Sequence, residues 1–168
     1  MAASDAGGEE VEWERDERSV ALVYGSILTG AAVVAASKVA EGPLHELLYT
    51  AVTMVVIWLA HSYAAFVGIG GRFEGGRLGR RLLHAMKDEL PVLAAVVPAL
   101  IAMAIAWLLG AGVSGIGYAG LGVAIVAMAV LAARAATRAG AGPGGVAAGF
   151  AGALVLGAVL IAMKLALK

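Results

Sequence analysis

The chain has 168 residues, of which 61% are hydrophobic and 14% are charged, and its mean hydropathy is +0.91. A soluble domain of this length is nearer half apolar and a quarter charged, so the composition argues against a soluble enzyme and for a protein whose solvent is lipid. The chain contains no cysteine, which excludes disulfides, thiolate nucleophiles and Cys-ligated zinc or iron–sulfur clusters.

The formal net charge of zero combines an acidic N-terminal segment with a mildly basic body. Residues 1–18 contain seven acids and two arginines, and residues 19–168 contain ten bases and five acids. The pattern predicts that residues 1–18 are an acidic, disordered cytoplasmic tail, and the acidic start argues against a cleavable signal peptide. Because the bases are scattered beside apolar runs, no nucleic-acid partner is expected.

Charge-free stretches divide the rest of the chain. They are residues 19–37, 47–71, 90–133 and 139–163. A spanning helix needs about 20 residues, so the third stretch is long enough for two crossings, and its glycine-rich segment 110–120 supplies the turn. The predicted fold class is therefore all-α, a polytopic membrane helix bundle with five transmembrane helices. The five spans are predicted near residues 20–37, 47–67, 91–109, 116–133 and 146–163. Pro98 should kink the third span.

The distribution of lysine and arginine over alternate loops predicts the orientation. One side receives nine bases, from the tail and from the second and fourth loops, and the other side receives three. The expected location is the bacterial plasma (inner) membrane, with the N-terminus in the cytoplasm and the C-terminus outside.

The loop between the second and third spans contains a basic amphipathic segment. Leu78, Leu82, Met86 and Leu90 recur every four residues, with bases between them. This spacing predicts an interfacial helix on the anionic inner leaflet of the lipid bilayer. Its anchoring bases are Arg77, Arg80, Arg81 and Lys87.

The second span carries the histidine that lies deepest in any predicted span. At 100° per residue, Thr50, Thr53 and His61 share one helical face, and Trp58 lies one turn before His61. One interpretation is a pH-titrating gate in a small channel or carrier. The other, which we favour, is a neutral imidazole hydrogen-bonded to a Ser, a Thr or a backbone carbonyl of a neighbouring helix, with Ser26 and Thr29 as candidates.

Small residues recur at four-residue spacing in four of the predicted spans. The sets are Ser26/Gly30, Ala102/Ala106/Gly110, Gly120/Ala124 and Gly149/Ala153/Gly157. Such spacing allows close helix approach in lipid. It fits a homo-oligomer seam, but since small residues are abundant throughout the chain, packing within one chain is the favoured interpretation.

No pattern for catalysis or for a cofactor is present. Glu41, His45 and Glu46 lie close together in sequence but lack an HExxH or paired i,i+4 arrangement, so no metal is expected. The chain shows no phosphate-binding loop, no haem-ligating pair and no hydrolase motif. The predicted spans also exclude every Asp, Glu, Lys and Arg. The sequence therefore predicts no enzymatic activity and no cofactor.

Two short motifs carry a family resemblance. Residues 58–64, WLAHSYA, and residues 87–92, KDELPV, resemble a group of uncharacterised small multi-pass integral membrane proteins of actinobacteria. The resemblance implies the membrane-spanning fold, and because that group has no assigned activity it implies no catalytic residues.

The predicted function is that of an integral membrane structural or interaction protein. It would act as an accessory subunit of a membrane complex or as a self-associating bundle. The alternative is the small channel or carrier with His61 near its gate. Flux measurements on the reconstituted protein separate the two.

Overall fold

The structure, a computed structural model, describes residues 6–68 and 78–166. All regular structure in these two ranges is helical, which confirms the all-α prediction. The helices are α1 (Ala6–Val39), α2 (Pro43–Gly68), α3 (Leu78–Asp88), α4 (Leu90–Ala94), α5 (Val97–Leu108), α6 (Val113–Arg138) and α7 (Pro143–Ala166).

Five helical segments are long and apolar enough to cross a membrane, as predicted. They are Arg18–Val39 of α1, all of α2, Leu90–Leu108 formed by α4 and α5, all of α6 and all of α7. Several helices extend beyond the predicted spans. In particular, α2 begins at Pro43 instead of near residue 47, and α7 continues to Ala166 instead of ending near residue 163. Both extensions bring a charged residue into a helix.

The first span is the central helix of the bundle. Half of its most apolar window is buried, compared with 11% for α2 and 17% for α7. It packs against α2, α4, α6 and α7. The largest apolar cluster combines α1, α5, α6 and α7, and its buried members are Val33, Val34, Met103, Ile116, Leu121 and Leu160. The bundle is therefore organised around α1.

The third span is interrupted directly before Pro98, where the kink was predicted. Helix α4 ends at Ala94 and α5 begins at Val97. At the break, the N–H of Val96 donates to the carbonyl of Leu93 at 3.3 Å, a tighter pattern than an α-helical bond. Proline has no N–H to donate and its ring crowds the preceding turn, so the interruption falls on its N-terminal side.

Helix α1 is 34 residues long and includes residues 6–18, which the sequence pattern assigned to a disordered tail. Once a helix has nucleated in the apolar span, each added residue forms one further backbone hydrogen bond, so extension is easier than a fresh start. The helical segment therefore begins well before the membrane-spanning part.

Small residues bring the helices close together within the chain. A Cβ at Gly25 would lie 2.7 Å from the Val92 carbonyl oxygen, and one at Gly149 would lie 3.3 Å from the Ala132 carbonyl oxygen. Gly149 belongs to the small residues singled out in the sequence, and further members of those sets also make internal contacts. Gly30 meets Leu160, Gly120 meets Met103, Gly157 meets Ile125, and Ser26, Ala124 and Ala153 are buried.

Ala102 and Ala106 are half-buried on α5, but Gly110 does not pack against a helix. Gly110 lies in the turn after α5 with φ of 83°, a conformation that side chains disfavour. Its role is to end the helix.

Candidate functional site

Three polar side chains from three helices meet at one end of the bundle. Ser37 lies in the last turn of α1, Glu46 in the first turn of α2 and Lys164 near the end of α7. The short connection between α1 and α2 places the first two at the same end. We refer to Ser37, Glu46 and Lys164 as the polar cluster.

The Ser37 hydroxyl bridges the two charged groups. The Nζ atom of Lys164 donates to the Oγ atom of Ser37 at 2.5 Å, and Ser37 in turn makes a short hydrogen bond to Oε1 of Glu46. Nζ lies 3.6 Å from the same carboxylate oxygen, so the two residues also form a direct ion pair. The Ser37 hydroxyl is in addition 2.8 Å from the Val33 carbonyl oxygen.

Both charged side chains are buried. The exposed fraction is 0% for the Glu46 side chain and 5% for that of Lys164. Burying a charge is unfavourable unless a partner compensates it, and here each residue compensates the other. Lys164 also lies over the Tyr118 ring, with Nζ 5.0 Å from the ring centroid, a cation–π geometry. Within the described residues, Oε2 of Glu46 has no hydrogen-bond partner.

Gly117 of α6 gives the polar cluster its room. A Cβ at this position would overlap Nζ of Lys164 and Oε1 of Glu46, and it would lie 2.8 Å from Oγ of Ser37. The polar cluster therefore depends on a fourth helix, α6, whose backbone approaches it at a residue without a side chain. The site is formed by α1, α2, α6 and α7.

The sequence pattern missed this ion pair. No acid or base was expected deep within a span, and Glu46 and Lys164 lie in the first turn of α2 and the last turn of α7. The predicted limits at 47 and 163 excluded Glu46 and Lys164 by one residue each. Allowing one more helical turn at each end would have shown an acid and a base that both interrupt apolar runs. That signal alone does not reveal that the two residues meet.

Glu46 is buried, whereas the two residues with which the sequence groups it are not. Glu41 and His45 are exposed, and the His45 ring packs 6.1 Å from that of Tyr49. Across the described ranges no three His, Asp or Glu side chains are grouped as metal ligands would be.

The predicted polar face of α2 is directed into the bundle. Thr50 is fully buried, and Thr53 and His61 are half-buried. The hydroxyls of Ser26 and Thr29, the two candidate partners of the imidazole, donate to the Leu22 and Gly25 carbonyls of α1 at 2.9 and 2.7 Å. His61 instead packs against Tyr24 of α1, with ring centroids 5.2 Å apart.

Thr50 and Trp58 each donate a hydrogen bond to a backbone carbonyl. The Thr50 hydroxyl donates to the Glu46 carbonyl oxygen at 2.8 Å, within its own helix. The Trp58 indole N–H donates to the Met86 carbonyl oxygen at 3.2 Å, which ties α2 to α3. This hydrogen bond is part of the contact between α3 and the second span.

Helix α3 forms where the amphipathic segment was predicted. Its buried residue is Ala85, whereas Leu82, Leu83 and His84 are exposed. Arg80 and Lys87 are also exposed. Of the other two predicted anchor bases, Arg77 lies outside the described residues and Arg81 outside the described side chains.

Comparison with known proteins adds no relative. The chain matches no protein-family model, no curated protein sequence and no solved structure.

Proposed function

We propose that this protein is an integral membrane structural or interaction protein without catalytic activity. It would serve as an accessory subunit of a membrane complex or as a self-associating bundle. The observation that carries the proposal is the pairing of Glu46 with Lys164 inside the bundle. Intramembrane charges usually mark a functional site. Here the two charges face each other, and with Ser37 they connect three helices. This arrangement indicates a role in helix packing.

The proposed location is the bacterial plasma membrane, with the N-terminus in the cytoplasm. Nine bases against three support this orientation by the positive-inside rule. The resemblance of residues 58–64 and 87–92 to small multi-pass membrane proteins of actinobacteria supports the same membrane, and we propose membership in that group. In this orientation the polar cluster lies at the outer end of the bundle.

We further propose that α3 lies on the inner leaflet as a basic anchor. Leu82 and Leu83 are 38% and 52% exposed, in position to enter the lipid, while Arg80 and Lys87 are exposed beside them. Each base near an anionic surface contributes about 1 kcal/mol. The Trp58–Met86 hydrogen bond would hold this helix at a defined depth.

Flux measurement tests the proposal against the channel alternative. Purified protein is reconstituted into vesicles, and proton and potassium flux are recorded from about pH 5 to about pH 8, the range in which histidine titrates. We expect vesicles that contain the protein to show the same proton and potassium flux as vesicles without it. A pH-dependent flux that disappears in His61→Ala would overturn the proposal and establish the channel.

The mass of the detergent-solubilised protein separates the two forms of the proposal. Light scattering on the purified protein would give a multiple of 16.8 kDa for a self-associating bundle. A mass of one chain would favour an accessory subunit that associates with a different protein.

A further inference from the structure

Helix α7 is seated on the bundle along one narrow stripe. Its buried residues are Ala153, Gly157, Leu160 and Lys164, which recur every three or four positions. Most of the remaining surface of α7 is exposed, and only 17% of its apolar window is buried. The helix is therefore peripheral, and it packs chiefly against α6 and to a lesser extent against α1.

Apolar contacts along this stripe contribute little to the free-energy difference between a docked and an undocked α7. Gly157 lies against Ile125, and Leu160 lies against Gly30. In a bilayer, an undocked helix replaces such contacts with equally apolar lipid tails, so there is no hydrophobic driving force for docking. The remaining contribution is tight packing at small residues.

Lys164 is the exception within the stripe. It lies near the end of α7 at Ala166, where a lysine ordinarily extends towards water. Instead its side chain is 5% exposed and is directed at Ser37 and Glu46. If α7 separated from the bundle, Glu46 would be left buried beside Ser37 without its counter-charge, an unfavourable state in a medium of low dielectric.

We propose that the polar cluster is a latch that holds the C-terminal half of α7 against α1 and α2. The ion pair of Lys164 and Glu46, bridged by Ser37, stabilises the docked position of α7. Lipid tails offer no equivalent interaction to an undocked α7. Because Gly117 has no side chain, α6 leaves space for the polar cluster. Loss of either charge releases α7 while the packing of α1 with α6 persists, because that packing includes a separate hydrogen bond between Arg138 and Ser19 at 2.9 Å. The inference does not depend on whether the protein conducts ions.

Spin-label distance measurements in lipid nanodiscs test this latch. The natural chain has no cysteine, so labels attach only at introduced sites. One label pair, at Leu44→Cys and Leu165→Cys, uses exposed positions on α2 and α7 near the polar cluster. A reference pair, at Val20→Cys and Val126→Cys, uses exposed positions on α1 and α6.

We expect Lys164→Met and Glu46→Gln each to broaden the α2–α7 distance distribution and to shift it to longer distances, with the reference pair unchanged. The matched control is Lys38→Met, which removes an exposed lysine at the same end of the bundle. It should leave both distributions as they are in the parent protein.

Two results would overturn the latch. If the α2–α7 distribution is the same in Lys164→Met as in the parent protein, packing alone holds α7. If the reference pair broadens as much as the α2–α7 pair, the ion pair stabilises the whole bundle and is not specific to α7.

Discussion

The Nζ atom of Lys164 lies 3.6 Å from the Oε1 atom of Glu46, although Lys164 is in the last helix and Glu46 is in the first turn of the second. The contact brings together two chain segments that are far apart in sequence. It also depends on Ser37 for a bridging hydroxyl and on Gly117 for space. One end of the bundle is thus joined by charge as well as by packing.

Removing one member of this ion pair should destabilise the protein strongly. We expect Lys164→Met or Glu46→Gln to lower the free energy of unfolding by about 3 kcal/mol, because the remaining charge stays buried without its counter-charge. Reversible unfolding in mixed detergent micelles measures the change. The double variant should lose less than the sum of the single losses, since it leaves no unpaired charge. Strictly additive losses would mean that the two residues are not coupled.

A methyl group at Gly25 should force α1 away from the third span. The added Cβ would lie 2.7 Å from the Val92 carbonyl oxygen and 3.1 Å from its Cα, and backbone atoms cannot turn aside as a flexible side chain can. We expect Gly25→Ala to lower the free energy of unfolding by about 1–3 kcal/mol.

The matched control for Gly25 is Gly122→Ala in the middle of α6. A Cβ there meets no heavy atom within 4 Å. Since alanine favours the helix over glycine, this variant should match or exceed the parent protein in stability, by up to about 1 kcal/mol. Equal losses in both variants would contradict the close approach of α1 to α4.

The indole of Trp58 should be needed to keep α3 in place. Trp58→Phe keeps an aromatic ring but removes the donor to the Met86 carbonyl at 3.2 Å, a hydrogen bond that contributes about 1 kcal/mol. We expect faster amide hydrogen exchange in α3 without a change in α6. Trp107→Phe, at an exposed site on α5, should leave the exchange of α3 unaltered. Unchanged exchange in Trp58→Phe would show that other contacts hold α3.

Single-cysteine labelling should reveal the orientation in the membrane. Gly42→Cys and Gly112→Cys mark the turns after α1 and α5, and Gly142→Cys marks the turn after α6, all at sites where a side chain meets no neighbour. With an impermeant maleimide on intact cells, we expect the first two to react and the third to react only after permeabilisation. The reverse pattern would place the N-terminus outside.

The number and type of the helices were predictable because they depend on local composition. A run of about 20 uncharged residues has one stable form in lipid, a helix that satisfies its own backbone hydrogen bonds. The five spans, the turn near Gly110 and the break before Pro98 all follow from such local chemistry, and the structure has each of them. Helix ends were less predictable, because one more turn adds only a small free energy.

The partners of individual side chains were not predictable from local pattern. Ser26 and Thr29 were candidate partners of His61, and in the structure their hydroxyls donate to carbonyls of their own helix while the imidazole packs against Tyr24. Spacing along α2 shows which residues share a face. It does not show which neighbour rotates to meet that face.

The sequence by itself determined that the chain is an all-helical bundle with five apolar spans, since hydropathy and length act on each segment separately. Only the tertiary structure decided that α1 is the central helix. The same is true of the pairing of Lys164 with Glu46 in the space beside Gly117. The physical reason is that lipid solvates all apolar faces equally, so the arrangement of the helices depends on close steric fit and on a few buried polar contacts.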